Sequence, residues 1–453
     1  MISNFKGLIR KVGIDEAIFY TILSRIIQAG GGLVTLIFVA RSLSKVEQGY
    51  YYTFGSILAI QVFFELGLSN IITQFVAHES INIQWTSKFS FVGSDESASR
   101  LSSLLRFTLK WFGIITILLF FGLLLAGYIF FNKYSDVNTP ISWQLPWIIL
   151  SLTTSLSLLV SPILAFFEGL GMIKEVTKVR LFQQGIQLLL ALGFFMIGFK
   201  LFSVPISLFI SFLVIPVWIF SSSKIRLLKF LWSKIDVWVV NYKKEIFPYQ
   251  WKIALSWISG YFIFQLFNPV LFATEGAVVA GQMGMTLTVI NAIFSLAFSW
   301  MSTKIPIFSG LIARRDYNSL DTLFSQTLKQ SAILNGLALS TFYILICIIK
   351  YLDLRISGRN FADRFLPLLP MMFMIIPIFL NHIIGSWATY MRCHKEEPML
   401  LQSIVIGFLC SISTIILGNY FGVIGITFGY MILTILSFIW TYATFLKFRR
   451  DWH

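Results

Sequence analysis

Residues 20–40 read YTILSRIIQAGGGLVTLIFVA. The stretch is apolar and long enough to cross a bilayer as a helix, which takes about 20 residues. Yet a guanidinium, Arg25, and an amide, Gln28, sit well inside it. The fold depends on whether the rest of the chain is built the same way. The function depends on why a membrane helix keeps a permanent charge.

Of 453 residues, 57% are hydrophobic and only 12% charged, and the mean hydropathy is +0.80. Soluble domains carry about 25% charged residues. Large soluble domains are therefore excluded, and an integral membrane protein is expected. Twelve apolar segments can be marked, at 17–40, 50–75, 108–131, 145–167, 180–199, 203–222, 251–273, 279–303, 331–349, 366–390, 400–417 and 423–445. Lipid offers backbone groups no partner, so spans are helices or closed barrels. Continuous apolar runs, rather than alternation, select helices. The expected fold is an all-α polytopic membrane protein with twelve transmembrane helices.

Lys and Arg set the orientation. With both termini cytoplasmic, the inner segments and span ends hold 26 of the 35 basic residues, the outer ones hold eight, and Arg25 lies between. The net charge of +15 then reflects basic inner loops facing anionic lipid rather than nucleic acid. The basic amphipathic start, MISNFKGLIRKVGIDEAIF, reads as a retained interfacial segment without a cleavage site.

The basic stretch 223–250 divides the chain into an N-lobe (1–222, helices one to six), a cytoplasmic linker, and a C-lobe (251–453, helices seven to twelve). An internal repeat supports the two halves. LSSLLRFTLKW (101–111) aligns with LDTLFSQTLKQ (320–330), with Leu101/Leu320, Leu104/Leu323, Thr108/Thr327, Leu109/Leu328 and Lys110/Lys329 identical. Lys174-Glu175 similarly matches Lys395-Glu396. Both halves start inside, so the repeat is parallel.

Catalytic signatures are missing. No phosphate-binding GxxxxGK[ST] loop or HExxH motif occurs. The three cysteines share no metal or disulfide spacing. No outer loop could house a catalytic domain, the longest being the stretch around 350–365. No enzyme activity, metal or cofactor is expected.

Two charges lie clearly within the spans, Arg25 and Glu65. Such groups are costly in lipid and normally face a bundle interior or an aqueous cavity. At 1.5 Å per residue, Arg25 lies roughly 13 Å and Glu65 roughly 18 Å from the inner ends of their spans. Three readings of Arg25 stand: snorkelling to the interface, pairing with Glu65, and lining a substrate cavity. Glu65 is also a candidate proton-coupling carboxyl. Further candidate substrate contacts are Gln28, Asn70, Gln74, Lys252, Asn268, Asn291, Asn381 and His382, with Gln61, Gln250 and Gln265 beside them. Many polar side chains in helix bundles only hydrogen-bond across helices. The glycine run of QAGGGL permits a bend or close packing. Prolines 162, 205, 216, 269, 370 and 377 permit kinks.

The segment ARSLSKVEQGYYYTFGSILAIQVFFELGLSNIITQFVAHE (40–79) resembles polysaccharide flippases of the Wzx type, in the multidrug/oligosaccharidyl-lipid/polysaccharide (MOP) superfamily. The matching positions are Ala40, Arg41, Leu43, Gly49 and Tyr51, then Glu65, Gly67 and Leu68. The segment 275–324 resembles the corresponding part of the second half. The resemblance implies two six-helix lobes around a central cavity that opens alternately to each side. It implies translocation of undecaprenyl-pyrophosphate-linked oligosaccharide units, as for O-antigen, across a bacterial inner membrane, with Arg25 facing the pyrophosphate. Where the family often has a basic residue near the inner end of span two, this chain has Gln74, which leaves two alternatives, a less cationic cavity or one that relies on Lys252 and Lys304. Implied partners are the lipid-linked oligosaccharide, membrane lipids, a polysaccharide polymerase and chain-length proteins, with the chain itself a monomer. A multidrug/cation antiporter of the same superfamily and a membrane polysaccharide polymerase or ligase stand as alternatives.

Overall fold

The computed structural model describes residues 16–87, 90–136, 139–221, 223–233, 237–353, 355–356, 359–394 and 398–452. The amphipathic start, the side chains of Arg25 and Gln28, and Lys395-Glu396 lie outside the described residues.

The fold is helical, as expected. Among the described residues, nine helices are long and apolar enough to cross a membrane, or ten if one bent pair is a single span. That is fewer than the twelve expected, partly because Leu400–Trp452 joins two expected segments through a kink at Gly422. The first expected span is the helix α1, Glu16–Ser42, which runs unbroken through its three glycines. Two short antiparallel ribbons also occur, Ile83–Ser87 with Ser90–Gly93 and Arg355–Ile356 with Arg359–Asn360.

The chain forms two compact units. One holds residues 1–31, 60–133 and 142–257, and the other 32–59, 134–141 and 258–453. The boundary passes through α1 between Gly31 and Gly32, inside the glycine run.

In the first unit, a short helix α2 (Val62–Glu65) and α3 (Leu68–Ser80) are followed by the long α4 (Asp95–Tyr134), then α5 (Gln144–Gly169), α6 (Ile173–Ile197), α7 (Ser203–Phe212) and α8 (Val214–Ser221). Part of the stretch read as a linker is itself a helix, α9 (Lys224–Trp232). Small residues set the closest packing. A Cβ on Gly169 would lie 2.8 Å from the Thr73 carbonyl of α3, and one on Gly127 would lie 2.0 Å from the Trp147 indole nitrogen. Pro162 lies inside α5. Pro205 and Pro216 sit in first turns, where a missing N–H leaves no ladder bond unmade.

In the second unit, α10 (Lys45–Leu58) begins with a capping box: Ser44 accepts from the Glu47 N–H while Glu47 accepts from the Ser44 N–H. It packs on α11 (Ala277–Ser302). The others are α12 (Phe267–Thr274), α13 (Ile305–Ala313), α14 (Tyr317–Tyr351), α15 (Leu368–Cys393) and α16 (Leu400–Trp452). Gly422 breaks α16 with φ 56° and ψ −140°. The Val423 N–H freed there donates to Glu275 Oε1 at 2.6 Å. Glu275 thus caps the second part of α16, and a Cβ on Gly422 would fall 1.4 Å from that oxygen.

Of the aligned positions, Leu104 is buried and Leu323 half-buried, while others agree. Leu101 and Leu320 are both buried, as are Thr108 and Thr327, while Lys110 and Lys329 are both exposed.

The contact between α10 and α11 depends on Gly49, since its Cβ would lie 1.9 Å from the Ala277 carbonyl oxygen, whereas a Cβ on Gly55 meets nothing within 4 Å. Gly49→Ala is expected to destabilise the folded protein by about 1–3 kcal/mol and Gly55→Ala to leave it unchanged, as read by thermal unfolding in detergent. Equal midpoints for the two variants would refute the close-approach argument.

Candidate functional site

The acidic-x-Gly-Leu element is a break in a helix. Leu66 (φ 50°) and Gly67 (φ 69°) are both left-handed and separate α2 from α3. Glu65 is the last residue before the break and half-buried. Among the described residues it has no hydrogen bond or ion pair. The Arg25–Glu65 pair, one of the three readings of Arg25, lies outside the described residues on the arginine side. Gly67 is required twice over. Its φ suits glycine, and its Cβ would lie 2.4 Å from Ile253 Cγ2. That contact brings the break against the residue next to Lys252, which is exposed.

Beyond the break, α3 has two faces. Leu68, Ile71, Ile72, Val76 and Glu79 are buried. Asn70, Gln74 and His78, four residues apart, are exposed. Sequence reasoning found the first two and missed His78, which the i, i+4 spacing shows to be on the same stripe. A polar stripe on a membrane helix belongs against water or another polar group rather than lipid.

In the second unit, three expected contacts are engaged internally. Asn268 is buried and donates to Ser56 Oγ at 3.0 Å. Asn381 donates to Tyr430 Oη at 2.8 Å. His382 is fully buried, with Nε2 at 3.0 Å from Ser331 Oγ and its ring edge-on to Phe294 and Phe298. These bonds join helices, as polar groups in bundles commonly do. Asn291 is exposed and Lys304 half-buried at the start of α13. Of the other amides, Gln250 is buried and accepts from Tyr242 Oη, while Gln61 and Gln265 are half-buried.

Three charged clusters were not legible as such. Arg364, at 1% exposure, donates to the Leu43 carbonyl at 2.7 Å and to Gln48 Oε1 at 3.1 Å. Gln48 Nε2 donates in turn to the Gly281 and Arg364 carbonyls. Arg364 lies in the stretch around 350–365 expected to be an outer loop, yet it is an internal tie of the second unit. At the start of α4, Arg100 donates to Glu79 at 2.7 Å and to Glu245 at 2.5 Å. At the start of α14, Asp321 accepts from Arg449 Nε at 2.9 Å and from Tyr390 Oη at 2.7 Å. Among the described residues, no group of three His, Cys, Asp or Glu side chains could hold a metal ion.

No protein-family model matches the chain, and no curated protein matches it. Solved structures do. An inward-facing multidrug resistance MATE family transporter of the MOP superfamily aligns with a TM-score of 0.64 at 14% identity, over 96% of this chain and 99% of that one. The lipid II flippase MurJ, in an inward closed conformation, aligns with a TM-score of 0.63 at 15% identity, over 96% of this chain and 90% of that one. A MOP superfamily transporter from Pyrococcus furiosus aligns with a TM-score of 0.52 at 12% identity, over 95% of each chain. The chain shares its fold with these solved transporters. With it goes a multi-pass membrane architecture, matched by the apolar helices.

Glu245 supplies a pH test. Burial alone would raise its carboxyl, but the hydrogen bond from Arg100, the Asn241 N–H and the Arg100 charge outweigh burial and hold it below the usual range. A depressed carboxylate adds stability above its unfolded pKa, about 4.3 for Glu, and loses it as pH falls through the folded value. The unfolding midpoint of the wild type should therefore fall across that acid window more steeply than that of Glu245→Gln. Parallel pH profiles would show that the Arg100 cluster contributes nothing.

Proposed function

We propose that the chain is a flippase for undecaprenyl-pyrophosphate-linked oligosaccharide units, of the O-antigen or related surface-polysaccharide kind, in a bacterial inner membrane with both termini cytoplasmic. The observation that carries this reading is the chemistry of the open candidate positions on this fold. Glu65 is the one carboxylate in the set. Asn70, Gln74 and His78 form a neutral polar stripe, and Asn291, Lys252 and Lys304 are accessible in part or whole. Neutral amides suit sugar hydroxyls, and cations suit a pyrophosphate. In this reading Arg25 attracts the pyrophosphate, Lys252 and Lys304 supplement it, and the polar stripe contacts sugars. The polyprenyl tail stays in lipid while alternating access moves the head group. Asn268, Asn381 and His382 hold helices of the second unit together. Glu65, beside a helix break, is the coupling candidate. The partners are a polysaccharide polymerase and chain-length proteins, and the flippase works as a monomer.

The fold equally supports a multidrug exporter, since a MATE transporter aligns as well as MurJ does. A cation-extruding site would favour several carboxylates, which the candidate set lacks. Complementation separates the two. The wild type should restore surface polysaccharide in a flippase-null strain and give no protection to a drug-hypersensitive one. Arg25→Ala should lose restoration and Arg25→Lys keep part of it, at matched low expression. Full restoration by Arg25→Ala would remove the pyrophosphate role. Drug protection without restoration would replace the flippase reading with the exporter.

A further inference from the structure

The sequence KIRLLKFLW of α9 carries two apolar stripes, although one is enough to dock a helix. Leu227 and Leu231 are fully buried and Lys224 nearly so, which is the docked stripe. Ile225, Leu228 and Trp232 form the second, spaced three and four residues apart. That stripe and Lys229 make one wall of a pocket of about 530 Å³ within the first unit. The other walls include Leu105 and Leu109 of α4, Leu159 and Ile163 of α5, and Phe212 and Ile219 of α7 and α8.

The helix is held in place at both ends. Lys224 pairs with Glu175 at the start of α6. At the far end the Trp232 carbonyl accepts from Arg106 at 2.7 Å and from Ser102 at 3.2 Å, and the Arg106 guanidinium lies 4.9 Å from the Trp232 ring centre. One wall of the pocket is thus carried by a helix fixed at both ends, and the pocket's size falls within the roughly 300–1,000 Å³ of ligand pockets. Among the described residues its walls are apolar apart from Lys229, and none of them is a carboxylate. Lys229 is exposed, as is Lys110, one turn beyond Arg106 on α4. A lysine whose stem lies along an apolar wall keeps its ammonium toward water.

We propose that this pocket binds one anionic phospholipid, with a fatty-acyl chain along the apolar walls and the phosphate at Lys229. The charge at the rim chooses this occupant. A zwitterionic lipid could fill the same walls, but a net negative head group gains from the ammonium of Lys229 at the rim. The site lies within one unit and does not depend on what the protein transports.

The test uses full-length protein, delipidated in detergent and titrated with phosphatidylglycerol or phosphatidylcholine. Binding is read by native mass spectrometry and by the thermal unfolding midpoint. Phosphatidylglycerol should bind and raise the midpoint, and phosphatidylcholine should do neither. Lys229→Gln should weaken phosphatidylglycerol binding about fivefold. Leu159→Trp, which fills the pocket, should abolish it, and Lys178→Gln, an exposed lysine of α6, should leave it unchanged. Equal binding of the two lipids would overturn the proposal. So would wild-type phosphatidylglycerol binding by Lys229→Gln, a surface change that decides the matter even where Leu159→Trp does not fold. Displacement of phosphatidylglycerol by undecaprenyl phosphate would overturn it in favour of a polyprenyl-tail site.

Discussion

In hydrocarbon, no water is available to the peptide group. Every N–H and C=O in a span must find a partner within the protein, and an unmet one costs several kcal/mol. The helices follow from that constraint, and so do the places where they stop. Gly422 interrupts α16, and Glu275 supplies the acceptor that the Val423 N–H has lost. Leu66 and Gly67 interrupt the second expected span, and Glu65 stands at the interruption with a polar stripe beyond it. A break is tolerated where a side chain repairs it or where it borders polar surroundings, so breaks and polar residues occur together.

Once helices are compulsory, packing between them has little hydrophobic drive, because lipid is as apolar as leucine. Close approach and polar ties take its place. Gly49 against Ala277 and Gly169 against Thr73 let backbones nearly touch. Arg100 with Glu79 and Glu245, and Asp321 with Arg449 and Tyr390, fix helix ends by charge. Each cluster sits at the first turns of the long helix that opens with the repeated motif. The two aligned stretches share apolar positions, while the polar partners of the two clusters differ. The pocket beside α9 extends the same logic, since its amphipathic helix is pinned by ions at its ends and leaves an apolar wall between them.

Part of the candidate site was visible in the sequence. Asn70 and Gln74 could be picked out because amides are conspicuous in an apolar run, and both are exposed. His78 was missed because it lies at a span end, where polar residues are ordinary; only the helical spacing ties it to the other two. Asn268 and His382 looked the same in sequence as Asn291, yet they are buried and bonded while Asn291 is open. Nothing local distinguishes an amide that meets a serine on another helix from one that meets a ligand. Arg364 is the clearest case, since its partners Leu43 and Gln48 lie more than 300 positions away along the chain.

The sequence by itself determined the helical class of the fold and the residues too polar for lipid. These depend on composition and on periods of a few residues, which short-range physics dictates. It also marked Gly49 and Gly67 without the reason for either. The tertiary structure alone decided that one meets a carbonyl and the other an isoleucine, that the second part of α16 restarts after Gly422 under a glutamate cap, and which polar groups are spent inside the protein. Those outcomes depend on which surfaces meet at distances of 2–3 Å, and contacts between residues hundreds of positions apart leave no periodic trace in the chain.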